Sequence, residues 1–96
     1  MFICDCHCDT LTELYKKGTS LYDNDQHFDI KRQIELGGGL QFCAIFVPTH
    51  EFRYYGGLRY TLCLLDKYKQ ELKALQEKGI DVPVSYTHLT LPTIRL

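Results

Sequence analysis

The sequence has no large excess of charge of either sign and no long apolar run. Its formal net charge is -1 at pH 7, so it lacks the basic surface that binds nucleic acid or an anionic membrane. No apolar stretch approaches the roughly 20 residues that span a bilayer. Asp5 and His7 interrupt the N-terminal region before the apolar segment of a secretory signal is formed. These absences predict a cytoplasmic protein with no nucleic-acid and no membrane partner.

The cysteines do not form the pattern of a disulfide framework. Their number is odd, and three of them share one face of a predicted strand, where they are poorly placed to bond to each other. Buried, reduced thiols are the simpler interpretation. A Cys-x-Cys-x-Cys thiolate site for zinc or copper is the alternative, although structural zinc sites usually take their cysteines from turns with wider spacing. The residues concerned are Cys4, Cys6, Cys8, Cys43 and Cys63.

A strand predicted over residues 2–9 has two chemically different faces. Because side chains alternate along a strand, Asp5, His7 and Asp9 share one face. The opposite face is apolar and is expected to pack; it carries Phe2, Cys4, Cys6 and Cys8. His7 and Asp9 lie about 6.6 Å apart along the strand, and bonds of about 2 Å allow both to reach one cation. The His-x-Asp pattern therefore predicts half of a metal site. The alternative is that the two side chains only hydrogen-bond to each other.

Two helices are predicted between this strand and the next. The first covers Thr10–Lys17, with a capping box formed by its first and fourth residues and with Gly18 at its end. Asp29 caps a second helix that runs to about Leu36. The glycine triplet at residues 37–39 follows a helix instead of preceding one, so it is interpreted as a tight turn and not as a phosphate-binding loop.

The second half of the sequence continues the alternation of strand and helix. Residues 40–47 are almost continuously apolar, which is typical of a strand buried on both faces of a parallel sheet. Residues 57–78 carry a leucine stripe at helical spacing, Leu58 to Leu75, which is expected to pack on the sheet. Residues 80–82 resemble the start of a third strand. This order predicts an α/β fold with a parallel sheet and right-handed crossovers.

Two segments resemble the membrane dipeptidase (renal-dipeptidase-like) metallopeptidases. They are Asp-Cys-His-Cys-Asp-Thr-Leu at residues 5–11 and Gly-Gly-Leu-Gln-Phe-Cys-Ala-Ile-Phe-Val-Pro at residues 38–48. They are similar in order and spacing to the family's first two barrel strands, and most relatives in its superfamily open with His-x-His instead of His-x-Asp. The resemblance covers roughly residues 2–82. It implies the first βα units of a metal-dependent-hydrolase TIM barrel, whose complete form takes about 250 residues.

The resemblance also implies a function. The family hydrolyses dipeptides at a centre of two zinc ions, and His7 and Asp9 match the ligands of one of them. Asp5 is a candidate for orienting the imidazole of His7. The family's bridging glutamate and the two histidines of its second zinc lie on later strands, and the other three histidines of this sequence do not match them. The chain is therefore expected to be an inactive piece with no assigned catalytic residue. The full-length enzyme is a candidate for homo-oligomer formation.

The last residues do not fit the α/β pattern. Residues 84–96 resemble the translation of a transposase-type sequencing adapter, so the sequence is divided into a dipeptidase-like segment, residues 1–83, and a non-native tail, residues 84–96. A genuine irregular tail is the alternative. The alternative function for the whole chain is a small cysteine-rich α/β module that binds metal or thiols without catalysis.

Overall fold

A computed structural model describes residues 1–52 and 55–84 as a mixed α/β structure. The elements in chain order are β1 (Ile3–Cys8), α1 (Thr10–Lys17), α2 (Ile30–Glu35), β2 (Gly39–Cys43) and α3 (Gly57–Glu77). The two strands form one parallel sheet, which confirms the predicted α/β class. Nearly all of the predicted non-native tail, residues 85–96, lies outside the described residues. None of the described helices is long and apolar enough to cross a bilayer.

Helix α1 has the predicted bounds but not the predicted cap. Asp9, and not Thr10, precedes the first helical residue, and its side chain makes no capping hydrogen bond. The predicted capping box is therefore wrong, because Thr10 is already inside the helix. Gly18 ends the helix with a φ of 69° and donates its N–H to the carbonyl of Leu14 at 2.8 Å. Glycine suits this left-handed position because it has no Cβ.

Helix α2 is capped by Asp29, as predicted. The Asp29 side chain accepts a hydrogen bond from the backbone N–H of Arg32 at 2.7 Å. A turn through Gly37 and Gly38, both with positive φ, then leads into β2. A Cβ on Gly39 would overlap the carbonyl oxygen of Ile3 on the neighbouring strand. The glycine triplet therefore allows the chain to leave α2 and to lie directly beside β1.

The pairing of the two strands is irregular and shorter than predicted. Ile3 pairs with Gly39 and Asp5 with Gln41, but the register shifts before Cys8 pairs with Cys43. β2 ends at Cys43 instead of residue 47, because β1 ends at Cys8 and offers no further ladder beyond its last carbonyl. That carbonyl accepts the N–H of Ala44 at 3.0 Å. A strand needs a partner for its backbone groups, however apolar its sequence.

The predicted third strand is also absent from the described structure. Residues 80–82 have no regular secondary structure, although Ile80 and Val82 pack against the hydrophobic core. Their apolar side chains are partly buried without a strand ladder. The described sheet therefore consists of β1 and β2.

The hydrophobic core lies mainly between α1, α3 and the loop that follows α1. Its most deeply buried side chains are Leu11, Leu14, Leu21, Leu64 and Leu75. The leucine stripe of α3 is buried near the end of the helix but not at its beginning, where Leu58 is 75% exposed. The expectation that the whole stripe packs on the sheet is therefore wrong, since α3 packs chiefly against α1.

The face of β1 that was expected to pack is mostly open. Phe2 is 71% exposed, and Cys4 and Cys6 are exposed as well, while Cys8 is buried. Residues 4–7 are exposed on both faces of the strand, because no described element covers this part of the sheet. The prediction of a fully packed apolar face is wrong for that reason.

Candidate functional site

His7 and Asp9 come together at the carboxyl end of β1. His7 Nε2 lies 3.2 Å from Asp9 Oδ2, and the two side chains are 63% and 60% exposed. His7 belongs to the strand, whereas Asp9 has left it and precedes α1 with φ -105° and ψ 20°. The two groups therefore meet because the chain turns from strand to helix between them, and not through strict alternation alone.

The backbone on either side of Asp9 is held by buried neighbours. Cys8 is buried in the hydrophobic core, and Thr10 is buried at the start of α1. The N–H of Thr12 also donates to the carbonyl of Asp9 at 3.2 Å. A fixed backbone beneath exposed polar side chains is the arrangement expected of a binding site on a rigid scaffold.

Asp5 is held by the neighbouring strand. Its Oδ2 accepts a hydrogen bond from Gln41 Nε2 at 2.8 Å, as their direct pairing in the sheet allows. Gln41, the polar residue in an apolar run, thus has a carboxylate partner. The expectation that Asp5 orients the imidazole of His7 stays a prediction, because the described hydrogen bond of Asp5 is to Gln41.

A cleft of about 460 Å³ opens beside this pair. Its lining includes Asp5, His7 and Asp9, together with Glu13 of α1 and His27 of the following loop. Neither His27 nor Glu13 was predicted to lie at this site. The sequence signal that could have placed His27 is the pair of residues after it. Phe28 and Asp29 are buried and fix this end of the loop to the core.

The described residues do not complete a metal site. In residues 1–52 and 55–84, no three His, Cys, Asp or Glu side chains converge closely enough to hold an ion. His50, beyond β2, is 82% exposed and lies 3.8 Å from Glu51, and His88 lies outside the described residues. This part of the chain therefore offers a pair of donors, and the cleft beside it, as its candidate site.

A second polar contact joins the two strands, where Cys8 Sγ is 3.8 Å from Cys43 Sγ. The hydrogen bond with Cys43, supported by hydrogen bonds from Thr10, outweighs burial and lowers the pKa of Cys8 to about 6. The same hydrogen bond, together with burial, raises the pKa of Cys43. The Cys-x-Cys-x-Cys motif is divided, because Cys4 and Cys6 are exposed and Cys8 is buried.

Searches of family models, of curated proteins and of solved structures found no match to this chain. The features of the described residues that bear on function are the His7–Asp9 pair, the cleft beside it and the two parallel strands.

Proposed function

We propose that this chain carries part of the metal site of a zinc-dependent dipeptidase, with His7 and Asp9 as ligands of one zinc ion. The observation that supports this most is the 3.2 Å distance between His7 Nε2 and Asp9 Oδ2. Two donors on one tetrahedral zinc, with bonds of about 2.0–2.1 Å, lie about 3.3 Å apart. The pair therefore fits two coordination positions with little rearrangement. A simple hydrogen bond has the same length and is the alternative that the experiment must exclude.

The position of the pair agrees with the proposed barrel origin. In TIM barrels the reacting groups lie at the carboxyl ends of parallel strands, and His7 is near the carboxyl end of β1. We therefore extend the proposal to the fold: β1, the helices α1 and α2, and β2 form the first βα units of a metal-dependent-hydrolase barrel. The tail at residues 84–96 is proposed to be non-native.

The cleft is suited to a small polar substrate. Its volume of about 460 Å³ lies within the roughly 300–1,000 Å³ of small-molecule sites. Glu13 and His27 add polar groups to the lining, which suits the amine, carboxylate and amide of a dipeptide. Zinc, when bound, supplies Lewis acidity toward a peptide carbonyl and toward water. His7 and Asp9 would hold the ion, and Asp5, fixed by Gln41, would add negative charge beside it.

The proposed location is the cytoplasm, where thiols stay reduced. All five cysteines are free in the structure. The proposed partners are dipeptides, with neither nucleic acid nor membrane, and with homo-oligomer formation assigned to the full-length enzyme only.

The proposed zinc ligands can be tested by binding. We predict that the chain binds zinc weakly, because a catalytic site normally supplies three protein ligands and this pair supplies two. His7→Ala should lower the affinity by about tenfold or more, at least the loss that follows removal of an outer-shell partner. Titration calorimetry or competition with a chromophoric chelator measures the change. His50→Ala is the matched control, since His50 is exposed outside the cleft, and it should bind zinc as the parent chain does.

Two results would contradict this assignment. Equal affinities for the parent chain and His7→Ala would leave His7 and Asp9 as a hydrogen-bonded pair. Tight binding that survives His7→Ala but disappears when Cys4, Cys6 and Cys8 are replaced by serine would favour the cysteine-rich alternative.

We also predict that the chain has no measurable dipeptidase activity, with or without zinc. The described residues hold neither a third ligand nor a second metal group, and hydrolysis needs an ion fixed in a shaped cavity. Neither residues 1–96 nor residues 1–83 should hydrolyse a dipeptide in an assay in which an active full-length dipeptidase serves as the positive control. Turnover by the longer chain alone would show that the tail is functional protein.

A further inference from the structure

The parallel strands bring two cysteines that are distant in sequence to the same point. Cys8 and Cys43 are direct partners in the sheet, and their sulfur atoms lie 3.8 Å apart. The exposed cysteines of β1 have no such partner; Cys4, for example, pairs with Leu40. Cys8 is buried, and Cys43 is only partly covered, so the pair lies at the boundary between the core and the solvent.

The register shift in the sheet creates this pair. If the pairing of Asp5 with Gln41 continued unchanged, His7 would lie opposite Cys43. The irregularity advances β1 by one residue, so Cys8 takes that place. The same shift leaves the imidazole of His7 on the exposed side, beside Asp9. The register shift therefore separates the His7–Asp9 pair from the Cys8–Cys43 pair.

We propose that Cys8 and Cys43 form a reversible cross-strand disulfide by exchange with a small-molecule disulfide. Directly paired residues on neighbouring strands have Cα atoms about 5 Å apart, which is within the roughly 4.4–6.8 Å that a disulfide bridges. The sulfur atoms must approach from 3.8 Å to a bond length of about 2.05 Å. Rotation of the two short side chains can supply much of this movement without separating the strands.

The exchange takes place in two balanced steps. One protein thiolate attacks a sulfur of the small disulfide, a mixed disulfide forms and one small thiolate leaves. The second protein thiolate then attacks the protein sulfur of the mixed disulfide and displaces the other small thiolate. The protein loses two electrons and two protons, and the small disulfide gains both and becomes two thiols. The site requires no metal, so it stands even if the zinc assignment fails.

Peptide mapping of the full chain tests this site directly. The chain is equilibrated with mixtures of reduced and oxidised glutathione, quenched with N-ethylmaleimide, digested and analysed by mass spectrometry. We expect a linked peptide pair containing Cys8 and Cys43, parallel loss of alkylation at both sulfurs, and its full return with excess reduced glutathione. Cys4 and Cys6 should stay alkylated or carry only mixed disulfides.

A variant removes the competing thiols. Replacing Cys4, Cys6 and Cys63 by serine leaves the pair as the only cysteines, and the same linked peptide should form with an unchanged far-UV circular dichroism spectrum. Pairing of Cys8 or Cys43 with any other cysteine in the parent chain would overturn the proposal. So would persistent alkylation of both sulfurs in oxidised glutathione, or a linkage found only between two copies of the chain. These results need no folded variant, because mapping of the parent chain decides them.

Discussion

Replacing Leu14 with alanine is expected to lower the free energy of unfolding by about 2–5 kcal/mol. Leu14 is completely buried in the core formed by α1, α3 and the loop that follows α1. Alanine removes the packed methyl groups and leaves a cavity that rigid helices fill only in part. Folded domains have about 5–15 kcal/mol of stability in total, so the substitution removes a large share of it. Urea unfolding followed by circular dichroism measures the change as a lower midpoint.

Leu62→Ala provides the matched control for this substitution. Leu62 is 54% exposed on α3, so the same chemical change should alter stability by about 0.5 kcal/mol or less. Similar losses for the two variants would mean that the packing of α1 against α3 is not the centre of the core. They would also mean that the exposed beginning of α3 is covered in solution.

Local sequence signals predicted the helices well. The bounds of α1 follow from its apolar spacing and from Gly18, and α2 follows from the Asp29 cap. These signals act within a few residues, so they do not depend on distant parts of the chain. The capping-box prediction for α1 was wrong because a Thr and a Glu at that spacing can also lie one position further into the helix. Thr10 is buried inside the first turn, and Asp9 precedes it.

The extent of the sheet could not be predicted in the same way. An apolar run shows that a segment will be covered, but a strand exists only where a neighbour accepts its backbone hydrogen bonds. Residues 44–47 and 80–82 have suitable sequences and no ladder in the described structure. The exposure of Phe2 and Cys4 has the same cause. Alternation shows which side chains share a face of the strand, but it does not show whether another element covers that face.

The candidate site was predictable in part. The short spacing of His7 and Asp9 placed them together, and the structure brings them to 3.2 Å. The approach of His27 to the cleft depends on how a long loop folds back. The pairing of Cys8 with Cys43 depends on a register shift that no residue in β1 indicates. Contacts between distant segments were therefore the ones that sequence reasoning missed.

Asp29→Ala is expected to lower the free energy of unfolding by about 2–4 kcal/mol, from the loss of a helix cap and of a buried charge partner. The Asp29 carboxylate is 1% exposed and accepts hydrogen bonds from the backbone N–H groups of Arg32 and Asn24 at 2.7 and 3.1 Å. It also accepts one from the Arg32 guanidinium at 2.9 Å. The substitution therefore releases the start of α2 and the preceding loop together. Asp29→Asn keeps a capping oxygen and should lose less.

The pH dependence separates the charge of Asp29 from its packing. Burial alone would raise the pKa of Asp29, but the hydrogen bonds from Arg32 and Asn24 outweigh burial and hold the pKa below its ordinary value. Such a carboxylate stabilises the fold fully above its unfolded pKa of about 3.9, and this contribution is lost as pH falls through the lower folded value. The stability difference between the parent chain and Asp29→Asn should therefore be constant near neutral pH and shrink below about pH 4.

Asp25→Ala is the control for this effect, because Asp25 lies in the same loop, is exposed and accepts a hydrogen bond from the side chain of Gln26. Its removal should change stability by about 0.5 kcal/mol or less at every pH. Equal losses for Asp25→Ala and Asp29→Ala would show that the loop responds to general charge and not to one buried carboxylate. A difference between the parent chain and Asp29→Asn that persists unchanged into strong acid would show that the ionised form of Asp29 does not stabilise the fold. Because Asp29 directly follows Phe28 and fixes the loop that carries His27 to the cleft, its loss should also loosen that wall of the candidate site.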